Sequence, residues 1–295
     1  MNKGRKYAGA FVHFLKPKYL ASFFAALFVF LCIKSFVFDV AFVSSPAMNN
    51  TLQQGEMVYV LKLFTPQKND LVRIYLPLTS TDSNEVSSYV FKRVVATGGD
   101  TIEIRNGNVL LNGKPVDEND IFLHNYIAKI RVQSDTGIFS KAGIHEKFLI
   151  DDSCVYLIPV TRQKFMELKE ERIFSSLVPS SEDSADFDLN VFPYQKQYKW
   201  NEDYFGPLYI PKKEDELRLD TNNINIYRRI IVDFEKNKLE LMNGKIFING
   251  KESAGYVVKQ NYYFVTGDNF DNSIDSRNWG FIPQKKIRSR VVFKN

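Results

Sequence analysis

From Tyr19 to Phe38 the chain is apolar at almost every position: YLASFFAALFVFLCIKSFVF. As a helix this run would span about 30 Å, one hydrocarbon core, and it predicts a transmembrane helix over 19–38. Lys34 interrupts the run only near its far end. There a lysine can snorkel to the interface and escape the roughly 2.5–3.5 kcal/mol it costs at a helix centre. The run is too long for a typical signal-peptide core, and no small-x-small site follows it cleanly, so we read an anchor and not a cleaved leader. Leu31 stands where a lipoprotein site before Cys32 would need a small residue. The segment 1–18 carries Lys3, Arg5, Lys6, Lys16 and Lys18 and no acid. That bias predicts a cytoplasmic N-terminus, with the remainder of the chain outside.

Beyond Asp39 the pattern changes to strands. EMVYVLKLF, DLVRIYLPL, SYVFKRVVA and DTIEIRNGNVLLNGKPV are rich in Val, Ile, Tyr and Phe and are separated by turn residues. RNGN and LNGK are hairpin turns of the Asn-Gly type. IEIRNGNVLLNGK (102–114) is echoed by LELMNGKIFINGK (239–251), two similar hairpins drawing on the same turn chemistry. The expected fold is mainly β: an antiparallel core over 39–116 and 239–295, with an inserted α+β region over 117–238. Within the insertion, RQKFMELKEERIFSSL (162–177) reads as one amphipathic helix.

Composition excludes several classes. The 295 residues carry a net charge of only +5, much of it in the first 18, so a nucleic-acid partner has little support. Cys32 lies in the apolar run, which argues against a disulfide with Cys154. The three histidines are His13, His124 and His145. None is near a serine motif in sequence, which weighs against a Ser-His-Asp triad. No Cys/His/Asp cluster has metal-ligand spacing and no glycine-rich phosphate loop is present, so no cofactor is expected.

A serine can instead be activated by a neutral lysine, which requires burial to lower the lysine pKa. In YVFKRVV, Lys92 is flanked by apolar residues. On a strand Lys92 and Arg93 face opposite ways, so one can point inward while the other reaches solvent. Taken alone, the stretch reads equally as an exposed strand lysine. YYFVTGDNFDNSIDSRNWGFIP (262–283) changes that balance. It brings Gly267, Asp268 and Asn269, then Ser273, Asp275, Ser276 and Arg277, a dense set of mutually bonding side chains. Asp275 and Arg277 can pair, and Ser273 can hold a neighbouring amine. A third stretch, VSSPAMNNTL (43–52), follows the anchor.

Together the three stretches resemble the signal peptidase I family: an anchor, then a Ser-Met-x-x-Thr-Leu box, a Lys-Arg-Val box and a Gly-Asp-Asn…Ser-x-Asp-Ser-Arg box, in that order. The resemblance covers the anchor, 39–116 and 239–295. DYFGPLYIPKK and NYYFVTGDN further resemble the long-insert branch found in Bacteroidota. The resemblance implies a mainly β catalytic core in the cytoplasmic membrane, facing the periplasm. It implies signal peptides of exported preproteins, the bilayer and translocon components as partners. It also implies Lys92 as general base, Ser45 and the backbone N–H of residue 47 as oxyanion donors, and Ser273 as the serine orienting the lysine. Asp268, Asp275 and Arg277 would support the loop, and Met48 would pack beside the site. Asn50 stands where many members carry proline.

The serious departure is Ala47, at the nucleophile position. Losing such a nucleophile costs on the order of 10⁶ in kcat, roughly 8 kcal/mol of barrier. Three readings follow. The serine was replaced by design; the chain is a natural pseudoprotease that binds signal peptides at the secretion machinery; or Ser45 or Ser44 acts as a shifted nucleophile. A lambda-repressor-type self-cleaving protein also uses a Ser-Lys pair, but it would need a DNA-binding N-terminus in place of an anchor.

Overall fold

A computed structural model of the protein describes residues 17–77, 88–116, 121–131, 137–151 and 154–294. Most of the basic N-terminal segment, residues 1–16, lies outside the described residues. The apolar run is a helix, Pro17–Cys32, continued by a π-helical turn over Ile33–Val37. Phe23, Phe24, Phe28 and Phe30 are each at least 60% exposed. A helix that is apolar all round and unburied by its own protein suits lipid. Tyr19–Val37 is long and apolar enough to cross a membrane.

The helix passes into the first strand without a linker, because Phe38 already belongs to β1 (Phe38–Phe42). The joint is tied by Lys62. Its amide donates to the Val37 carbonyl at 2.8 Å and its Nζ to the Ser35 carbonyl at 2.9 Å, and Asp39 lies 3.4 Å from Nζ.

The chain then builds β2 (Met57–Leu61), β3 (Leu71–Leu76) and β4 (Ser88–Thr97). A small unit follows, β5 (Thr101–Arg105), β6 (Asn108–Leu111) and β7 (Lys114–Pro115). Next come β8 (Leu123–Lys129), β9 (Phe148–Asp151), β10 (Val155–Thr161) and β11 (Ser176–Pro179). β12 (Tyr204–Tyr209) and β13 (Glu216–Arg218) lead to β14 (Leu239–Met242), β15 (Lys245–Ile248) and β16 (Lys251–Glu252). The chain closes with β17 (Gly255–Val257), β18 (Tyr262–Thr266), β19 (Ile282–Pro283) and β20 (Ile287–Lys294).

The central sheet has seven strands in the order β1-β2-β20-β3-β4-β18-β19, and every pairing in it is antiparallel. The fold is thus mainly antiparallel β, as the patterning predicts. Strands with one wet face alternate, as β3 and β8 do. β18 is buried at all five positions, the signature of a strand covered on both faces. The sequence echo is structural as well: β5–β7 and β14–β16 are matching three-strand units. Their Asn-Gly turns have positive φ at both residues, 51° and 68° at Asn106-Gly107, 50° and 75° at Asn243-Gly244. This is the geometry that favours Asn-Gly in two-residue hairpins.

The stretch 117–238 divides its apolar residues between two cores. Tyr126, Ile130, Phe139, Ile158, Leu168 and Phe174 form one cluster around the sheet β11-β8-β10-β9. Phe192, Trp200, Phe205 and Phe234 instead join Val94, Phe264 and Phe281 in the main core, and β12 pairs with β5. The single helix expected over 162–177 is shorter. It runs Arg162–Glu170 and is capped by Thr161, whose hydroxyl accepts from the Lys164 amide at 3.2 Å. Residues 176–179 form β11 on the edge of β8. In a continuous helix Phe174 would point about 120° away from Leu168. Leaving the helix lets both side chains enter the same cluster.

Candidate active site

β4 lies between β3 and β18 in the central sheet, and its six residues Phe91–Ala96 are all buried. Lys92 faces Val72 across the pairing with β3 and is only 2% exposed. Its Nζ donates to Ser273 Oγ at 2.7 Å and lies 5.7 Å from the centre of the Trp279 ring. Burial pulls the Lys92 pKa down to about 8; Asp275 opposes the shift, Arg277 adds to it, and Asp268 opposes it further.

The expectation that one of Lys92 and Arg93 reaches solvent fails. Arg93 is buried too, and its guanidinium forks onto Asp268 at 2.7 and 2.6 Å. It also donates to Thr51 Oγ1 at 3.2 Å and to the Asn69 carbonyl at 3.1 Å. A central strand covered on both faces leaves neither residue a route to water. The fork gives the buried charge the partners it requires.

Ser273 is held by a loop organised around a second buried ion pair. Asp275 and Arg277 are both fully buried, with Nε–Oδ1 and Nη2–Oδ2 distances of 3.0 Å each. Burial would raise the Asp275 carboxyl, but the Arg277 guanidinium and its hydrogen bonds hold it below the usual carboxylate range. Asp275 also accepts from the Gly267 amide at 3.1 Å and forms a reciprocal cap with Asn278 on the turn Ser276–Trp279. Arg277 donates to the carbonyls of Phe270 and Ser273 and lies over the Phe270 ring at 4.0 Å. Ser276 Oγ accepts from the Val265 amide at 3.0 Å, fastening the loop to β18.

The VSSPAMNNTL loop meets this assembly directly. Ser45 is extended and half-buried, and Pro46–Met48 form a short 3₁₀ turn. The Ala47 carbonyl accepts from the Asn269 amide at 3.1 Å, and Asn269 Nδ2 reaches the Pro46 carbonyl at 3.3 Å. Met48 packs with Leu52, Val58, Val60 and Phe91, the last next to Lys92 in sequence. Gly267 is the point of closest approach. A Cβ there would stand 2.3 Å from Ser273 Oγ and 2.4 Å from the Ala47 carbonyl oxygen. Gly267→Ala is therefore expected to cost about 1–3 kcal/mol by overpacking and to displace Ser273 from Lys92. Denaturant unfolding measures the first effect, and the titration of Lys92 followed by NMR measures the second.

All eight residues singled out from the sequence, Ser45, Ala47, Met48, Lys92, Asp268, Ser273, Asp275 and Arg277, fall in this one region. Sequence reading missed the Arg93–Asp268 fork, its bond to Thr51 and the bonds by which Asn269 holds the Ala47 loop. The Lys-Arg and Gly-Asp-Asn stretches were visible, but which arginine met which aspartate was not. His124 does come near: its Nδ1 lies 3.1 Å from Asp271 Oδ1, three residues beyond Asp268. The residue holding Ser273 Oγ is nonetheless Lys92.

The cluster keeps an amine dry and fixed beside a hydroxyl, ready to exchange a proton at neutral to alkaline pH. Such burial opposes folding. Because the folded pKa is depressed from 10.5 to about 8, the unfolded chain binds the extra proton between those values, and stability rises with pH across that window. Relative to Lys92→Met, which cannot titrate, the native protein is expected to gain about 3 kcal/mol between pH 7 and pH 10.5. Denaturant unfolding at the two pH values checks this.

Residues 17–184 and 163–294 match the family described as signal peptidase, peptidase S26. A signal peptidase I of Buchnera aphidicola subsp. Baizongia pistaciae is 27% identical over 290 residues, covering 92% of this chain and 74% of that protein. A signal peptidase I of Haemophilus influenzae is 24% identical over 283 residues, covering 94% and 68%. One from Aquifex aeolicus is 56% identical over a 36-residue segment, 12% of this chain and 14% of that protein. With its family match running from the anchor helix to the last strand, the chain belongs to the signal peptidase S26 family.

Proposed function

We propose that this chain is a membrane-anchored signal peptidase I whose Ser/Lys site lacks its nucleophile oxygen, so that it binds signal peptides of exported preproteins without cutting them. The observation that carries this reading is the buried Lys92–Ser273 pair at 2.7 Å, interlocked through Gly267 with the Ala47 loop. A desolvated lysine is costly, and proton transfer is the function that justifies it.

In the active form a serine at position 47 attacks the scissile carbonyl and Lys92 takes its proton, later returning it to the leaving amine. The Ser45 hydroxyl and the N–H of residue 47 hold the oxyanion. Asp268, Asp275 and Arg277 keep the loop carrying Ser273 in place, and Met48 backs the site. The core over 39–116 and 239–295 carries the chemistry, with 117–238 inserted. The N-terminus is cytoplasmic and the site lies at the outer, periplasmic face of the inner membrane. The bilayer and the translocon are the neighbouring partners. A shifted nucleophile is disfavoured, since Ser44 and Ser45 lie outside the Pro46–Met48 turn that carries position 47, while attack tolerates about an ångström.

The test is cleavage of a preprotein by the Ala47→Ser protein. If that variant stays inert while signal peptides still bind, the chain is a non-catalytic binding subunit at the secretion machinery instead.

A further inference from the structure

One end of the seven-stranded sheet lies at the membrane helix. Leu61 of β2 is opposite Phe38 of β1, and Arg290 of β20 is opposite Leu61, so β2 ends and β20 begins beside the last turn of the helix. The Lys62 amide holds the carbonyl of Val37, the last residue of the apolar span. A cavity of about 520 Å³ opens at this end, within the size range of ligand sites. Lys62, Lys285 and Arg288 line it, with Gln260, Gln284 and Phe64, and no carboxylate is among its lining residues.

Three cations in one concave site repel one another, and the field they share favours an anion. Lys62 is the most committed of them: its Nζ donates to the Ser35 carbonyl and has Asp39 at 3.4 Å. Lys285 and Arg288 are exposed, and neutral groups position them. Lys285 Nζ donates to the Phe234 carbonyl at 3.3 Å, and Arg288 lies over the Tyr75 ring at 5.8 Å. Gln284 Oε1 accepts from Asn261 Nδ2 at 3.0 Å, which leaves its Nε2 hydrogens as further donors.

Position decides which anion. Lys62 is one hydrogen bond from the end of the membrane helix, so the cavity stands at the depth of the lipid headgroups, where phosphate diesters are concentrated. Leu63, next to Lys62, is 66% exposed and offers apolar surface to the start of an acyl chain. We propose that this cavity binds the headgroup phosphate of an anionic phospholipid, in the leaflet that meets the C-terminal end of the helix. The bound lipid fastens the end of the sheet to the bilayer surface. This inference depends on the anchor crossing a bilayer and not on the chemistry of the Ala47 loop.

The test offers the full-length protein in detergent equal amounts of phosphatidylglycerol and phosphatidylcholine with the same acyl chains, and native mass spectrometry counts the lipid retained. Phosphatidylglycerol is expected to be retained about tenfold over phosphatidylcholine. Lys285→Glu with Arg288→Glu is expected to bring that ratio to about one, with the thermal midpoint in lipid-free detergent unchanged. The neutral pair Lys285→Gln with Arg288→Gln is expected to lose the preference as well. Lys196→Glu with Lys251→Glu makes the same change of charge at exposed positions outside the cavity and is expected to keep it. Inorganic phosphate in excess is expected to leave the lipid bound. Equal retention of the two lipids by the native protein overturns the proposal. So does a preference that survives both cavity variants, or one that the Lys196 and Lys251 changes abolish too. Displacement by inorganic phosphate assigns the cavity to a soluble phosphate and overturns the lipid.

Discussion

Ala47→Ser is expected to raise preprotein turnover by about 10⁶, roughly 8 kcal/mol of barrier, since on the proposed function it supplies the nucleophile oxygen. The rest of the apparatus needs no rearrangement. Lys92 already holds Ser273 at 2.7 Å, and the Ala47 carbonyl is already fixed by the Asn269 amide. The base must be neutral to accept a proton, and its pKa is about 8. The rate of the serine variant is therefore expected to climb with pH and level off above about 8. Adding Lys92→Ala is expected to return it to background. Adding Ser273→Ala, which frees the amine to move, is expected to lower kcat more than it changes KM. Assays on a preprotein with a small-x-small cleavage site, with intact folding confirmed by circular dichroism, decide the matter. A pH profile with no inflection near 8 would remove Lys92 from the base role.

Arg277→Met is expected to destabilise the protein by about 3–5 kcal/mol, because it leaves the Asp275 carboxylate buried without its partner. The loss extends beyond the pair. Asp275 also receives the Gly267 amide and caps the turn Ser276–Trp279, so several buried bonds loosen at once. Its pH dependence identifies the cause. In the native protein Asp275 has a depressed pKa, so its contribution is present above the ordinary carboxylate range and is lost as pH falls through the depressed value. Without Arg277 that depression disappears. The gap between variant and native protein should accordingly narrow in acid. The double change Asp275→Leu with Arg277→Met should recover part of the stability, since both charges leave the core together. Urea unfolding of the three proteins at pH 3 and 7.5, on either side of the ordinary carboxylate value of 3.8, checks both statements.

What could be read from the sequence depended on the range of the interaction. The anchor is a local property, twenty side chains against one solvent, and it was plain. The Asn-Gly hairpins are equally local, and the two units they predict exist. Lys92 was ambiguous by itself, because its burial depends on β18 and on a loop about 180 residues later. Only the specific spacing of Ser273, Asp275 and Arg277 tipped the balance. Arg93 was misjudged because strand alternation assumes one wet face, and a strand between two neighbours with both faces covered has none. The helix over 162–177 was overextended for a related reason. Its polar and apolar spacing is helical, yet Phe174 is claimed by a core cluster that periodicity cannot see. His124 and Asp271 meet across 147 residues, which no local pattern announces.

The joint between helix and body sets a standoff. Val37 hands over to Phe38 with no intervening residue, and Lys62 binds both Ser35 and Val37. β1 then rises about 17 Å over its five residues before the chain turns into the Ala47 loop. A short strand on a pinned joint fixes how far the Ala47 loop stands from the end of the helix. On the proposed function, a substrate would be engaged only where the distance from the end of its own lipid-buried segment matches the height of the strand.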